Sequence, residues 1–261
     1  MEAIFRASYV LTGLLITAEI ILNLRKRTVG IEGLIAATCL LSFIVTFISF
    51  YLLYGHFPII YARENLFFLS LVIYFTSTFY LKNKEKKFLH LAGLLLALAL
   101  LLGSFLISYK PEQPNPFLQS VWLYLHSGSA AIAHTLYIVA FILSVSILLS
   151  GSRKETNSSF GKQYESLIKY VKFAFIFHTI MIASGSMWAQ KAWGRLWGWD
   201  PVEAWSLAAW LMYAAFLHLS EIRRSRSRFN LIFVFVGFLM LIVSFWGIAY
   251  VARTVHTYLK L

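Results

Sequence analysis

The chain has 261 residues, of which 59% are hydrophobic and only 13% are charged. Because this small number of charged residues cannot cover a water-facing surface, the composition excludes a soluble globular protein. The single cysteine, Cys39, lies inside an apolar run, which excludes a disulfide framework and a thiolate metal cluster. We expect it to be a small residue of the core.

Eight apolar segments long enough to cross a bilayer follow one another along the chain. They cover residues 3–24, 31–53, 65–81, 88–108, 127–149, 167–187, 203–220 and 230–252. The first segment carries no signal-peptide cleavage site, so we interpret it as a retained helix. The sequence predicts an all-α integral membrane protein with about eight transmembrane helices, forming a single polytopic membrane domain over residues 1–261.

The basic residues are distributed unevenly between the two sets of loops. Of the 23 Lys and Arg residues, 16 lie in segments 25–27, 82–87, 153–172 and 223–228. The positive-inside rule places these segments in the cytoplasm and both termini outside. The net charge of +12 is therefore a topology signal, and nucleic-acid binding is not needed to explain it. Segment 223–228 would also attract anionic membrane lipid, although an orienting loop explains it.

Aromatic residues concentrate in the outer loops. Six of the eight tryptophans lie between Trp188 and Trp210. An interfacial aromatic belt is usually spread over all helices, so this density in one loop, about residues 188–205, exceeds what a belt needs. Indole faces suit a large planar ligand such as a porphyrin. The predicted stacking platform and its neighbouring polar groups are Trp188, Trp193, Arg195, Trp197, Trp199 and Asp200.

Two histidines lie at the outer ends of different spans, beside this loop. His126 precedes the fifth span and His256 follows the last one, so both are candidate axial ligands of one external haem. His56 is a weaker alternative ligand on the same face. His218 lies near the cytoplasmic end of the seventh span, where either a functional role or a plain interfacial position is possible. For His134 and His178 we expect hydrogen-bonded packing roles.

The start of the seventh span carries a capping pattern. Asp200 is predicted as the N-cap, Pro201 as the first helical residue and Glu203 as the third, which is a capping box. The alternative is a direct role of these carboxylates at the ligand.

The string WGRLWGWDPVEAW (193–205) resembles the WWD signature of haem-handling membrane proteins, which include the CcsA (ResC), CcmC and CcmF families. Three further segments are similar to the CcsA family in particular. They are GHFPIIYARENLFFL (55–69), LQSVWLYLH (118–126) and VARTVHTYLKL (251–261). The resemblance implies that His126 and His256 are external haem ligands, and that His218 is a transmembrane ligand whose opposite ligand comes from a partner.

The resemblance also implies a function. Together with a CcsB (ResB) partner, such a protein exports haem b, presents it at the WWD loop and joins it to the cysteines of a CxxCH motif in apocytochrome c. We therefore expect a cytochrome c synthase that is active only with its partner, in a bacterial cytoplasmic or a thylakoid membrane. Positioning of the haem is the main expected contribution to catalysis. Arg195, ahead of Lys191, Arg63 and Arg253, is the first candidate to pair with the haem propionates.

Two other functions stay open at this point. One is haem delivery without ligation, as in CcmC, and the other is a b-type electron carrier within the membrane. Such carriers usually place histidine pairs on facing helices at membrane depth, whereas the best pair here is external. A solute transporter is a further alternative, but matched Gly or Pro interruptions of the spans are not evident.

Overall fold

The computed structural model describes residues 1–24, 31–80, 87–107, 118–149, 158–222 and 227–247. Within these ranges the regular structure is helical. In chain order the helices are α1 (Glu2–Leu24), α2 (Ile31–Tyr54), α3 (Ala62–Tyr80), α4 (Lys87–Leu106), α5 (Val121–Leu149), α6 (Ser158–Trp193), α7 (Pro201–Leu217) and α8 (Leu231–Ile242). The π-helical turns His218–Ile222 and Val243–Gly247 continue α7 and α8. The predicted all-α class is confirmed.

Most of these helices are suited to a bilayer. Among the described residues, seven helical segments are long and apolar enough to cross a membrane, as judged by length and composition. They do not include α3, whose 19 residues carry Arg63 and Glu64 in the first turn. The chain is a multi-pass membrane protein.

The helices group into two compact units, residues 1–120 and 121–260. The prediction of a single domain over residues 1–261 stays a prediction.

In the first unit, α1 packs against α2 and α4, and α3 packs against α4. Hydroxyl groups join α1 to α2: Thr12 Oγ1 lies 2.8 Å from Ser42 Oγ, and Thr46 Oγ1 lies 2.9 Å from Ser8 Oγ. Such bonds are typical of helix contacts in membranes, where apolar surface alone does not favour one partner over lipid. Cys39 is fully buried among these helices, as predicted.

A buried polar cluster connects three helices of the same unit. The hydroxyl of Tyr74 donates to Glu19 Oε2 at 2.7 Å, and His90 Nε2 lies 3.8 Å from Glu19 Oε1. His90 Nδ1 also donates to the carbonyl of Ser77 at 2.8 Å. His90 is therefore a buried contact between α3 and α4.

In the second unit, α5 packs along α6, α7 packs along α8, and contacts of α6 with α7 and of α5 with α8 complete the bundle. The rings of Tyr137 and Tyr213 stack at its centre, with centroids 3.6 Å apart. His178 lies within hydrogen-bond distance of the Tyr137 hydroxyl (3.3 Å) and Ser206 Oγ (3.1 Å), so its predicted packing role is confirmed. His134 packs edge-on against Phe245.

Candidate functional site

His126 lies in the second turn of α5, which begins at Val121. Its Nδ1 lies 2.9 Å from the carbonyl oxygen of Met181 on α6. A carbonyl can only accept, so Nδ1 carries the proton and the lone pair of the neutral ring is on Nε2. Metal-bound histidines usually donate their other ring N–H to a carbonyl or carboxylate in this way, which fixes the tautomer and the ring orientation.

Gly185 permits this close approach of α5 and α6. A Cβ at position 185 would lie 2.6 Å from Nδ1 and 3.0 Å from Cε1 of His126. Any side chain there would collide with the ring, because ordinary carbon contacts are about 3.5–4.0 Å. Sequence reasoning missed Gly185, although its place among small residues (Ala183, Ser184 and Ser186) is typical of close helix contacts in membranes.

The tryptophan-rich segment, residues 188–205, contains more helix than the sequence predicted. The sixth span was predicted to end at residue 187, but α6 continues to Trp193, and α7 begins at Pro201. Trp188 and Trp193 are therefore helical, and the connection itself is only residues 194–200. Gly194 ends α6: its φ is +73°, and its N–H donates to the carbonyl of Gln190 at 3.1 Å.

The tryptophans of this segment differ in exposure. Trp188 is only 3% exposed and contacts Trp193 edge-on, with ring centroids 5.7 Å apart. Trp193 is 41% exposed and Trp199 is 72% exposed. Trp197 is half-buried and meets Trp199 at 5.9 Å with an interplanar angle of 87°. The indoles available to a ligand are therefore those of Trp193, Trp197 and Trp199, while Trp188 supports Trp193 from within.

Trp199 has a backbone conformation that is rare for a residue with a side chain. Its φ is +54°, in the left-handed region. The carboxylate of Glu203 accepts from the N–H groups on both sides of this residue, at 2.8 Å from Gly198 and 3.2 Å from Asp200. Glu203 thus holds the strained residue in place, and a strained, exposed residue is typical of functional sites.

The predicted capping box at the start of α7 is confirmed. Asp200 is the N-cap and its side chain accepts from the N–H of Val202 at 2.9 Å, Pro201 opens the helix, and Glu203 reaches back to the cap. Asp200 is 9% exposed. Its carboxylate is engaged in the cap, so the structure gives it a local role in shaping the connection.

His218 lines a groove between α6, α7 and the π-helical turn. The groove has a volume of about 770 Å³. Six of its lining residues are apolar: Phe175, Leu211, Ala214, Ala215, Leu217 and Leu219. The other three are His218, Lys172 and Glu221, and the last two form an ion pair at 2.9 Å. π-helical turns are frequent at functional sites. The functional role predicted for His218 stays a prediction.

A family model described as cytochrome c assembly protein matches residues 59–256. The chain belongs to this family. Its role therefore lies in cytochrome c assembly, and the resemblance of the tryptophan-rich segment to haem-handling proteins agrees with that role.

Relatives named cytochrome c biogenesis protein CcsA match most of the chain. The protein of Chlamydomonas reinhardtii is 28% identical over 94% of this chain and 72% of its own length. That of Prochlorococcus marinus strain MIT 9301 is 28% identical over 78% of this chain and 76% of its own. That of Fagopyrum esculentum subsp. ancestrale is 27% identical over 78% of each. The CcsA resemblance found in the sequence is confirmed.

The cations predicted near the outer site of this assembly-family protein have different surroundings. The guanidinium of Arg195 is exposed and lies over Gly198, since a Cβ at that glycine would be 2.8 Å from Arg195 Cζ. Lys191 is exposed near the end of α6. Arg63, in the first unit, lies over the rings of Phe5 and Phe50. Arg253 lies outside the described residues. Pairing of Arg195 with a propionate stays a prediction.

His56 has a structural role at the start of α3. Its Nε2 lies 2.7 Å from Glu64 Oε1 and its Nδ1 lies 3.1 Å from the carbonyl of Tyr54. Glu64 Oε2 accepts from the N–H groups of Ile60 and Tyr61 at 2.9 and 3.2 Å. Burial, the largest effect, lowers the pKa of His56, but the hydrogen bond and charge of Glu64 outweigh it and raise the pKa overall.

Both ring nitrogens of His56 are therefore engaged in contacts that shape residues 55–61, which disfavours this histidine as the alternative ligand. The second predicted external ligand, His256, lies outside the described residues. Its pairing with His126 stays a prediction.

Proposed function

We propose that this chain presents haem b on the outer face of the membrane and takes part in its covalent attachment to the CxxCH thiols of apocytochrome c. In this proposal it acts as the CcsA-like half of a complex with a CcsB (ResB)-like membrane protein. Haem is the substrate, and His126 and His256 are its axial ligands at the outer site.

The observation that carries the proposal is the setting of His126. Its Nδ1–H is committed to the carbonyl of Met181, so Nε2 is the nitrogen suited to bind iron. Gly185, which this ring touches, precedes Trp193 by eight residues of α6, or about 12 Å along the helix axis. An oriented imidazole packed against the helix that carries the exposed indole of Trp193 suits a haem-presenting site.

The tryptophans would bind the porphyrin by stacking, since aromatic contacts add about 0.5–1.5 kcal/mol each beyond burial. Trp188 contacts the exposed ring of Trp193, and Glu203 holds the backbone on both sides of Trp199. Rigid support of this kind keeps a ligand in a fixed orientation. In thioether formation the S–H of a cysteine adds across a vinyl C=C of haem. The chain's contribution is to hold that edge of the ring towards the incoming thiol.

The groove lined by His218 would lie near the cytoplasmic side in the predicted orientation, and we call it the inner groove. It supplies one imidazole, that of His218. In the proposal, a histidine of the partner completes the ligand pair there, and haem passes from this groove to the outer site. His218→Ala should lower the haem that reaches the outer site only when the partner is present. Normal haem loading and normal cytochrome c yield in that variant would remove His218 from the pathway.

The synthase activity is tested by reconstitution. The chain and its partner are expressed with an apocytochrome c in a host that lacks its own maturation genes, and covalent cytochrome c is measured by haem stain after denaturation. Covalent product that requires both proteins supports the proposal. Haem bound to the complex without any covalent product would instead indicate delivery without ligation, as in CcmC.

The orientation follows from the distribution of basic residues and belongs to the same proposal. Both termini and residues 194–200 would lie on the outer face of a bacterial cytoplasmic membrane, or on the lumenal face of a thylakoid. Reporter fusions at Lys84 and Lys191 should report opposite compartments. The same compartment for both would refute the assignment of the outer site.

A further inference from the structure

The groove at His218 has its polar groups at one end. Along α7, Leu211, Ala214 and His218 follow one another on one face, with Glu221 beyond them. Lys172 of α6, which forms an ion pair with Glu221, lines the same part of the groove as the imidazole. The groove is therefore apolar along one part and polar along the other.

Haem has a matching asymmetry. Its propionates leave the ring from one edge, and its vinyl groups lie on the apolar remainder. A haem whose iron is coordinated by His218 would fit the groove with its apolar edge along Leu211 and its propionate edge at Lys172. The charges and apolar surfaces of groove and ligand are then complementary.

The Lys172–Glu221 pair is suited to open for such a ligand. The Nζ and Oε2 atoms are 2.9 Å apart, and the two side chains are 50% and 42% exposed. Exposed pairs of this kind contribute little to stability. Lys172 can therefore exchange the carboxylate of Glu221 for that of a propionate, whereas Glu221 itself repels the propionate.

We propose that Lys172 binds the propionate edge of haem in the inner groove and that Glu221 competes with the propionate for this lysine. The inference rests on the proposed role of His218 as an iron ligand, and it adds the orientation of the ring. The vinyl edge then leads towards the outer end of the groove, and the propionates face the cytoplasm.

The test compares haemin with haemin dimethyl ester, which has the same ring but no carboxylates. Optical titrations use the full chain, purified with its partner and carrying His126→Ala and His256→Ala, so that the outer ligands are absent. The measured quantity is the ratio of the two dissociation constants. The ester serves as an internal control, because a variant that still binds it normally has a folded groove.

In this background, Lys172→Gln should reduce the preference for haemin by about three- to tenfold, as expected for loss of a charge-assisted contact at a partly exposed site. Glu221→Gln should raise the preference, because the competing carboxylate is gone. Lys169→Gln is the matched control: Lys169 is also exposed on α6 but does not line the groove, and its loss should leave the ratio unchanged.

Two results would overturn the inference. One is an unchanged ratio in Lys172→Gln, and the other is an equal reduction in Lys172→Gln and Lys169→Gln, which would indicate only general attraction by positive charge. Failure of the underlying proposal looks different. In that case His218→Ala binds both porphyrins with the affinity and spectrum of the parent protein.

Discussion

Gly185→Ala should displace His126 without removing it. The added Cβ would lie 2.6 Å from Nδ1, against an ordinary contact of about 3.5 Å, so the ring must move by about 1 Å or the helices must separate. Overpacking of this kind costs about 1–3 kcal/mol. A misplacement of about 1 Å can lower the rate of a positioned reaction by about 10²-fold. We expect a weakened low-spin spectrum and a loss of cytochrome c yield approaching that of His126→Ala.

The assay is the ferrous optical spectrum of the purified chain, followed by a titration with free imidazole. Gly128→Ala is the control, since Gly128 lies on α5 close to His126 but has open space where a Cβ would be placed. That variant should keep the parent spectrum. Free imidazole should partly restore the spectrum of Gly185→Ala, which would show that the protein is folded and that only the ligand has moved.

The reasoning is refuted if Gly185→Ala and Gly128→Ala have the same spectrum and yield as the parent protein. A spectrum that is lost in Gly185→Ala and is not restored by imidazole would indicate general misfolding instead of displacement of one ligand.

Three further predictions concern Glu203, the exposed tryptophans and His56. Glu203→Ala should speed proteolysis within residues 194–200, while Glu203→Gln retains an acceptor and should behave more like the parent. The double substitution Trp197→Ala and Trp199→Ala should lower the amount of retained haem without affecting membrane insertion. Trp210→Ala is the control: it removes a tryptophan whose Nε1–H donates to Thr179 of α6, and it should leave the retained haem unchanged. Because the folded pKa of His56 is raised, its stabilising contribution is complete below the unfolded pKa of about 6.5 and is lost as pH rises through the folded pKa. The melting temperature should therefore fall as the pH rises above about 6.5 and through the folded pKa, and this fall should be smaller in His56→Gln.

Features set by short stretches of sequence were predicted well. The apolar runs predicted α1 and α2 almost to the residue, because a membrane helix needs only length and hydrophobicity. The capping box of Asp200 and Glu203 was also recognised in advance, since it depends on residues within a single turn.

The end of α6 was predicted too early for a physical reason. The prediction followed hydrophobicity, which falls near residue 187, but Ala189, Gln190 and Lys191 are good helix formers and continue the helix beyond the apolar run. Only the left-handed Gly194 ends it. Trp188 and Trp193 were therefore assigned to the loop although both are helical.

Contacts between helices could not be predicted from one sequence. The collision of a Cβ at Gly185 with His126, and the burial of Glu19 beside His90, both depend on which helix faces meet. Apolar runs that are hydrophobic all round carry no such information. The tautomer of His126 likewise follows from a carbonyl on another helix.

The most direct test of the central claim is the ferrous spectrum of the protein, expressed with its partner, in His126→Ala and His256→Ala. If the two histidines are the axial ligands of one external haem, each substitution should open a coordination position, change the low-spin spectrum and sharply reduce covalent cytochrome c. Free imidazole should partly restore the spectrum of each single variant, and less so that of the double variant. A parent-like spectrum with full cytochrome c yield in either single variant would contradict the claim.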